Sequence, residues 1–559
     1  MRVLNISVCM IFFMLLVFVF NTKSFAQTIC GASTQQQIVD CIADVNTDIV
    51  ELLMTPIEIT NDGTPNGLGV VTPISVGGMR TLQIVNATME ETAALVIDPM
   101  VSAETRFFEV VGGMTFTLDG VTLQGGNISS PGGAILNRNG AVTNILNSTL
   151  TMNEGTSGGA VENDSSTLNI SNSIFGPDNN ATAGFGGAIN NTGNGILSIS
   201  DSTIIGNEAE NSDGGGVFNS FTLDITGSTI VDNTASSDGG GIFNEGTLTM
   251  SNTTIRENSA GNMGGGINNN GDATISTSTI GPMNQSDNNA GGISNNGGDI
   301  EITNSTISGN SAVNDGGGIR NGGSEMIVNN VTIADNSADN DGGGVWHQDG
   351  FTYTFANTII ADNSAINMGP DCFSDNMAPL DSQGFNLIES TDDCILGGIG
   401  TGNIIGMDPV LGPLQENPPD PPIMNPNNTA TQALADLSPA IDVGNPDMPG
   451  AGFPACEETD QRGVLRNCDI GAFEIQMAQP TMQPTMPPTN PPTNPPTDPP
   501  TDSPTNPPNG GGGGGCAIAH RANLASSVAS LLIVFAPAAV FGIVALARRR
   551  RSIKKVIKK

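Results

Sequence analysis

The 559-residue chain is poor in aromatic rings and in positive charge. It has one Trp and one Tyr, and aromatics make up 4% of the total. Large rings supply much of the interior of ordinary globular domains, so the core here must come from small aliphatic side chains. Lysine is missing between residues 27 and 515. That stretch holds seven arginines and all 55 acids, a net charge of −48. Such a surface repels phosphate backbones and excludes nucleic acid as a partner. His347 is the only histidine before the last 40 residues, so imidazole chemistry has little to work with. Long helical patterns are also lacking, because apolar runs between turn residues are only four to six residues long.

The two ends of the chain differ from this middle. Residues 1–26 read as a secretory signal: Arg2, an apolar run from Val8 to Phe20, and a small-x-small site at Ser24-Phe25-Ala26. Residues 524–547 carry no charge and are long enough to cross a bilayer. Arg548, Arg549, Arg550 and Arg551 follow at once, with Lys554, Lys555, Lys558 and Lys559 behind them. Positive flanks stay in the cytoplasm, so everything before the span is expected outside the cell, with the C-terminus cytoplasmic before any processing. Residues 480–508 repeat Pro-Pro-Thr-Asn/Asp and lead into glycines 510–515, which reads as an extended stalk. An exported chain meets oxidising conditions, and six cysteines fall in close pairs: Cys30/Cys41, Cys372/Cys394 and Cys456/Cys468. Sequence alone does not fix their connectivity; these are the shortest loops. Cys516 is left over between the glycine run and the span.

The middle is repetitive. A Gly-Gly-small-aliphatic phrase recurs nine times, ending at Ile135, Val161, Ile189, Val217, Ile242, Ile267, Ile293, Ile319 and Val345. The spacing is 25 to 28 residues. Two positions beyond each aliphatic stands Asn137, Asn163, Asn191, Asn219, Asn244, Asn269, Asn295 or Asn321, and His347 closes the series. A second phrase, Ser/Asn-Thr-Ile, puts Asn207, Asn233, Asn258, Asn310, Asn336 and Asn363 three residues after its aliphatic. With a third apolar phrase, such as Leu197-Ser-Ile199, each period holds three short strands separated by Gly, Asn, Asp and Ser turns. The period is too short for a propeller blade, and no leucine scaffold is present. The arrangement predicted is an all-β, right-handed parallel β-helix with inward aliphatic columns and asparagine ladders. A capping box at Ser33-Thr-Gln-Gln36, followed by Ile38, Cys41, Ile42 and Val45, predicts a short cap helix. The expected organisation is signal 1–26, cap 27–47, β-helix 48–371, a distinct C-terminal region 372–476, linker 477–515 and anchor tail 516–559.

Two resemblances sit on these phrases. Gly-Gly-Ala-Ile with its following Asn resembles the repeat of chlamydial polymorphic outer-membrane proteins. The later series is similar to the choice-of-anchor Q domain of bacterial surface proteins. It runs Gly406-Met-Asp-Pro-Val-Leu-Gly-Pro-Leu414, Ser438-Pro-Ala-Ile-Asp-Val-Gly444, Thr459-Asp-Gln-Arg-Gly463 and Cys468-Asp-Ile-Gly-Ala-Phe-Glu474. Those resemblances imply a surface β-helix protein with a variable anchor, and imply no activity. The tail itself resembles bacterial sorting signals, which implies a membrane protease or transpeptidase as partner and Cys516 as a processing or lipid-attachment point.

For chemistry, Asp213, Asp238, Asp315 and Asp341 all lie four residues before the anchor aliphatic. Stacked one coil apart they would repel unless solvent, protonation or Ca²⁺ intervenes, so Ca²⁺ is the one cofactor to consider. Recurrence at one register is the mark of a structural turn, since a catalytic residue should occur once. One position after each anchor should face outward. Phe218, Phe243, Arg320 and Trp346 on that row form a candidate contact stripe. The reading is therefore a surface-anchored, non-catalytic display and binding protein, adhesin-like, for a protein or polysaccharide ligand. The alternatives are a tethered Ca²⁺-dependent polysaccharide lyase or glycoside hydrolase, and a purely structural envelope component.

Overall fold

The computed structural model describes residues 106–418 and 429–475, together with Gln37 and six strands between residues 29 and 97. The signal, the stalk, Cys41, Cys516 and the expected membrane span lie outside the described residues. Among the described residues no helix is long and apolar enough to cross a membrane.

The described chain winds as a right-handed parallel β-helix. One coil shows the pattern. Ile189–Thr192 belongs to a first sheet, here sheet C; Ile196–Ser200 to sheet A; Thr203–Ile205 to sheet B; and Glu208–Ala209 to sheet D. The next coil then pairs in parallel: Ile189 with Val217, Leu197 with Leu223, Ile204 with Ile230, Ala209 with Ala235. Among the described residues, sheets A, B, C and D contain 15, 14, 12 and 9 strands. The coil thus has a fourth, two-residue strand beyond the three expected. Sheet D is a column of Gly155, Ala181, Ala209, Ala235, Ala260, Ser286, Ala312, Ala338 and Ala365. Two residues are too few to show any alternation in sequence, which is why this strand was not legible there.

The interior is as the repeat dictates. Ile135, Val161, Ile189, Val217, Ile242, Ile267, Ile293, Ile319 and Val345 are all fully buried and stacked in register. The first ladder runs from Asn137 to Asn321, each Nδ2 donating to the next Oδ1 at 2.7 to 3.0 Å. The second begins earlier than the phrase showed, at Asn153 and Asn179. It passes through Asn284 and ends on the Asp371 carboxylate at 3.0 Å. A third, of hydroxyls, was not foreseen: Ser148, Ser173, Ser202, Ser228, Thr253, Ser278 and Ser305. In each, Oγ accepts the backbone N–H of the preceding coil. Every buried polar side chain of these columns thereby finds its partner one coil away.

The turn before each anchor aliphatic has one position that is glycine in every repeat. Gly240 is an example: a Cβ there would lie 2.5 Å from the carbonyl oxygens of Ser259 and Gly265, an approach only glycine allows. The position before it favours glycine less strictly, since Gly239 at φ +66° is matched by Ala290 at φ +57° before Ile293.

Two boundaries differ from expectation. Sheet A starts at Ile29–Ala32, so Cys30 is already in a strand. Of the expected cap helix over 33–45, only Gln37 is described, and it is helical. The coils also run past 371. Cys372–Ser374 extends sheet C, Leu380–Ser382 sheet A and Leu387–Ile388 sheet B, with Ile404–Ile405 beyond. What is distinct at the C-terminus is residues 429–475, which fold back against the outer face of sheet B. Leu434, Ala440 and Ile470 bury Ile359 and Leu387 there. Two disulfides, Cys372–Cys394 and Cys456–Cys468, close loops in these last segments.

Candidate functional site

The outward row of sheet C varies in residue type along its length. Register places Leu136, Glu162, Asn190, Phe218, Phe243, Asn268, Ser294, Arg320 and Trp346 along it. Phe185 stacks on Phe218 at 4.2 Å between ring centroids, and Phe218 on Phe243 at 5.3 Å with planes 6° apart. The Arg320 guanidinium lies 4.5 Å from the Trp346 ring centre. It also donates to Asn296 Oδ1 at 3.0 Å and Gln348 Oε1 at 3.4 Å. Partial burial holds its pKa below the ordinary arginine value.

The expected stripe of exposed anchors needs correcting. Phe218, Phe243 and Trp346 are only 3, 4 and 8% exposed. Rings at one register stack face to face and hide each other, and the glycine turn presses on their base. A Cβ at Gly342 would sit 2.8 Å from Trp346 Cβ. Between the two aromatic groups Asn268 and Ser294 are fully buried, and Asn296 Nδ2 reaches Asn268 Oδ1 at 3.0 Å. The row is therefore two separate patches, with Phe185 at 39% exposure the open edge of the first.

The recurring acids serve the turns. Asp213 Oδ1 accepts the Asp238 N–H at 2.9 Å. Asp238 Oδ1 accepts the Met263 N–H at 2.9 Å and Asn262 Nδ2 at 2.8 Å. Asp315 Oδ1 takes Asn340 Nδ2, and Asp341 Oδ1 takes the Met368 N–H at 3.1 Å. Burial raises the pKa of Asp238 and Asp341, with Asp213 and Asp315 respectively adding to it. Each acid carries a hydrogen bond that a stacked turn needs, which accounts for its recurrence without an ion.

His347 is fully buried at the end of the first ladder. Asn321 Nδ2 can only donate, so His347 Nδ1, 3.3 Å away, accepts and the proton sits on Nε2. Burial lowers the ring's pKa, which keeps it neutral.

The folded-back segment spends its characteristic phrases on docking. Asp460 accepts the backbone N–H groups of Arg462, Val464 and Glu474 at 2.8 to 3.0 Å. Gln461 bridges Thr279 and Thr306 of sheet B at 2.9 and 2.7 Å. Arg462 pairs with Asp460 at 2.6 Å and covers the Phe473 ring. Arg466 donates to Asn304 Oδ1 at 2.9 Å. At Gly471 a Cβ would meet Ile359 Cδ1 at 2.7 Å, so the contact with the solenoid requires glycine. Asp442, Asp469 and Glu474 bring carboxylate oxygens within 4.8 Å of one another. As a cation site the donor set does not fit. Both oxygens of Asp469 and both of Glu474 already receive backbone N–H groups, and Arg466 lies 3.7 Å from Glu474. Burial and the Asp469 charge push Glu474 up to about 7.

No family model matches the chain, and no curated protein is similar to it. A solved structure, "Crystal structure of pectate lyase Pel9A", is 12% identical over 81% of this chain and 98% of that one, with a TM-score of 0.34. At that score the likeness carries no argument about activity. The β-helix assignment rests on strand register alone.

Proposed function

We propose that the protein is exported, held at the cell surface by its C-terminal tail, and binds a surface ligand there without turning it over. The observation that carries this reading is the contrast between columns. Asn, Ser and Asp residues that recur are spent on coil-to-coil hydrogen bonds, while outward rows, on sheet C and on sheet A, vary over a fixed backbone. A scaffold of that kind separates stability from recognition, so the varied face can be fitted to a partner at no cost to the coils. The phrases that resemble the choice-of-anchor Q domain, and the Gly-Cys-apolar-Arg tail, support retention at a surface, with the sorting enzyme as a transient partner.

Full-length protein in detergent, titrated with cell-surface polysaccharides and proteins with and without Ca²⁺, tests it. Saturable binding with intact ligand recovered is the expected result. Cleavage of any polysaccharide would instead establish the tethered lyase or hydrolase. Mass spectrometry of the native C-terminus checks the anchor: a chain still ending in Lys559 would rule out processing at Cys516.

A further inference from the structure

The N-terminal end of sheet C contains a pocket of about 410 Å³ that neither the repeat nor the docked C-terminal segment explains. Arg106, Glu109, Ser130, Arg138, Glu162 and Asp164 supply its polar wall. The three carboxylates are already matched, whereas among the described residues both arginines keep unpartnered nitrogens, Nε of Arg138 and two on Arg106. Arg138 pairs with Glu109. Glu162 takes Ser157 Oγ at 2.9 Å, Asn190 Nδ2 at 2.9 Å and Thr192 Oγ1 at 3.1 Å. Asp164 takes Ser165 Oγ at 2.9 Å. Arg106 is the less matched of the two, although Glu109 and Glu162 are near enough to attract its charge. It is 4% exposed, and its Nη2 donates to Ser130 Oγ. Its Nε and Nη1 have no partner among the described residues. Burying a guanidinium with two nitrogens unmatched is costly, and acceptors on a ligand would relieve that cost.

The surroundings narrow the ligand. A doubly charged phosphate would sit against Glu109, Glu162 and Asp164, whereas a single carboxylate incurs less repulsion and suits a planar guanidinium. The remaining carboxylate oxygens of Glu109 and Asp164 can accept hydroxyl protons. Pro131 and Leu136 add an apolar surface for the face of a ring. The volume accommodates one sugar. We infer that this pocket binds the carboxylate of a single acidic sugar unit, with Arg106 as its anchor and Glu109 and Asp164 receiving its hydroxyls. The inference rests on the binding reading above and names a ligand class for one end of that face. The recognition is by arginine and needs no metal.

Isothermal titration of the full-length protein in detergent, with EDTA present, compares methyl glucuronoside with methyl glucoside. The glucuronoside should bind at least about tenfold more tightly, the value of a charge-assisted hydrogen bond. Arg106→Gln should abolish that preference. Because Arg106 is buried and this variant can fail to fold, Leu136→Trp, which fills the pocket from its half-buried apolar side and keeps the Arg106–Ser130 hydrogen bond, should also abolish glucuronoside binding while the thermal melt stays unchanged. Equal binding of the two glycosides, binding of neither, or unaltered preference in folded variants would overturn the inference. If wild-type protein still binds a surface ligand in those cases, only the pocket assignment fails. If it binds nothing, the display reading fails as well.

Discussion

Asn244 shows what a single repeat residue does. Its Oδ1 accepts Asn219 Nδ2 at 2.7 Å, and its own Nδ2 donates to Asn269 Oδ1 at 2.8 Å, all within a fully buried column. Asn244→Ala strands a donor on one side and an acceptor on the other, so urea denaturation should show a loss of about 1–3 kcal/mol or more. A change within error would mean that the ladder is incidental. The asparagine ladders were legible in the sequence because the same amide recurs at the same offset from an aliphatic. The serine column was not, since serine also marks any turn and its hydroxyl pairs with backbone. Arg106 was equally invisible. Nothing local distinguishes it from Arg256, which is 30% exposed at its side chain and paired with its neighbour Glu257.

At the scale of a strand and its turn, glycine and register act together. Gly240→Ala must place a Cβ 2.5 Å from the carbonyl oxygens of Ser259 and Gly265, whereas nothing lies within 4 Å of a Cβ at Gly400. The first substitution should lower stability by more than about 1 kcal/mol and the second by less than that, as thermal melts of the two variants can compare. Equal effects would show that the Gly-Gly turn is not under the constraint described. The same turns explain why the outward row of sheet C could be placed in sequence while its exposure could not. Alternation fixes which way Phe218 and Trp346 point, but whether neighbours cover them depends on the coils above and below and on the turn beside them.

For the whole molecule, the buried acids set a pH dependence opposite to that of a salt-bridged protein. Burial pushes Asp371 up to about 6 and Glu474 up to about 7. In the unfolded chain these groups return to the ordinary range near 4. The folded state therefore binds protons more readily, and its gain is complete below about pH 4 and lost as pH rises through 6 to 7. The net negative charge of the solenoid acts in the same direction, because protonation reduces self-repulsion. The midpoint of thermal unfolding should rise as pH falls from 8 to 5, and Glu474→Gln should flatten the upper part of that rise. A midpoint that falls over this range would contradict the burial of these carboxylates.

A fixed period of aliphatic and amide residues was enough to determine the coil, its inward columns and two of its ladders. Each coil meets only its neighbours, so local pattern and tertiary contact coincide there. Where contacts join residues far apart in sequence, pattern had nothing to read. Thr279 with Gln461, Asn304 with Arg466 and Ile359 with Gly471 are separated by more than a hundred positions, and their pairing followed only from how residues 429–475 return to sheet B. The pocket at Arg106 belongs to the same class. It exists because one irregular early coil meets the first regular ones, and only three-dimensional packing could decide which of its charges would be left without a partner.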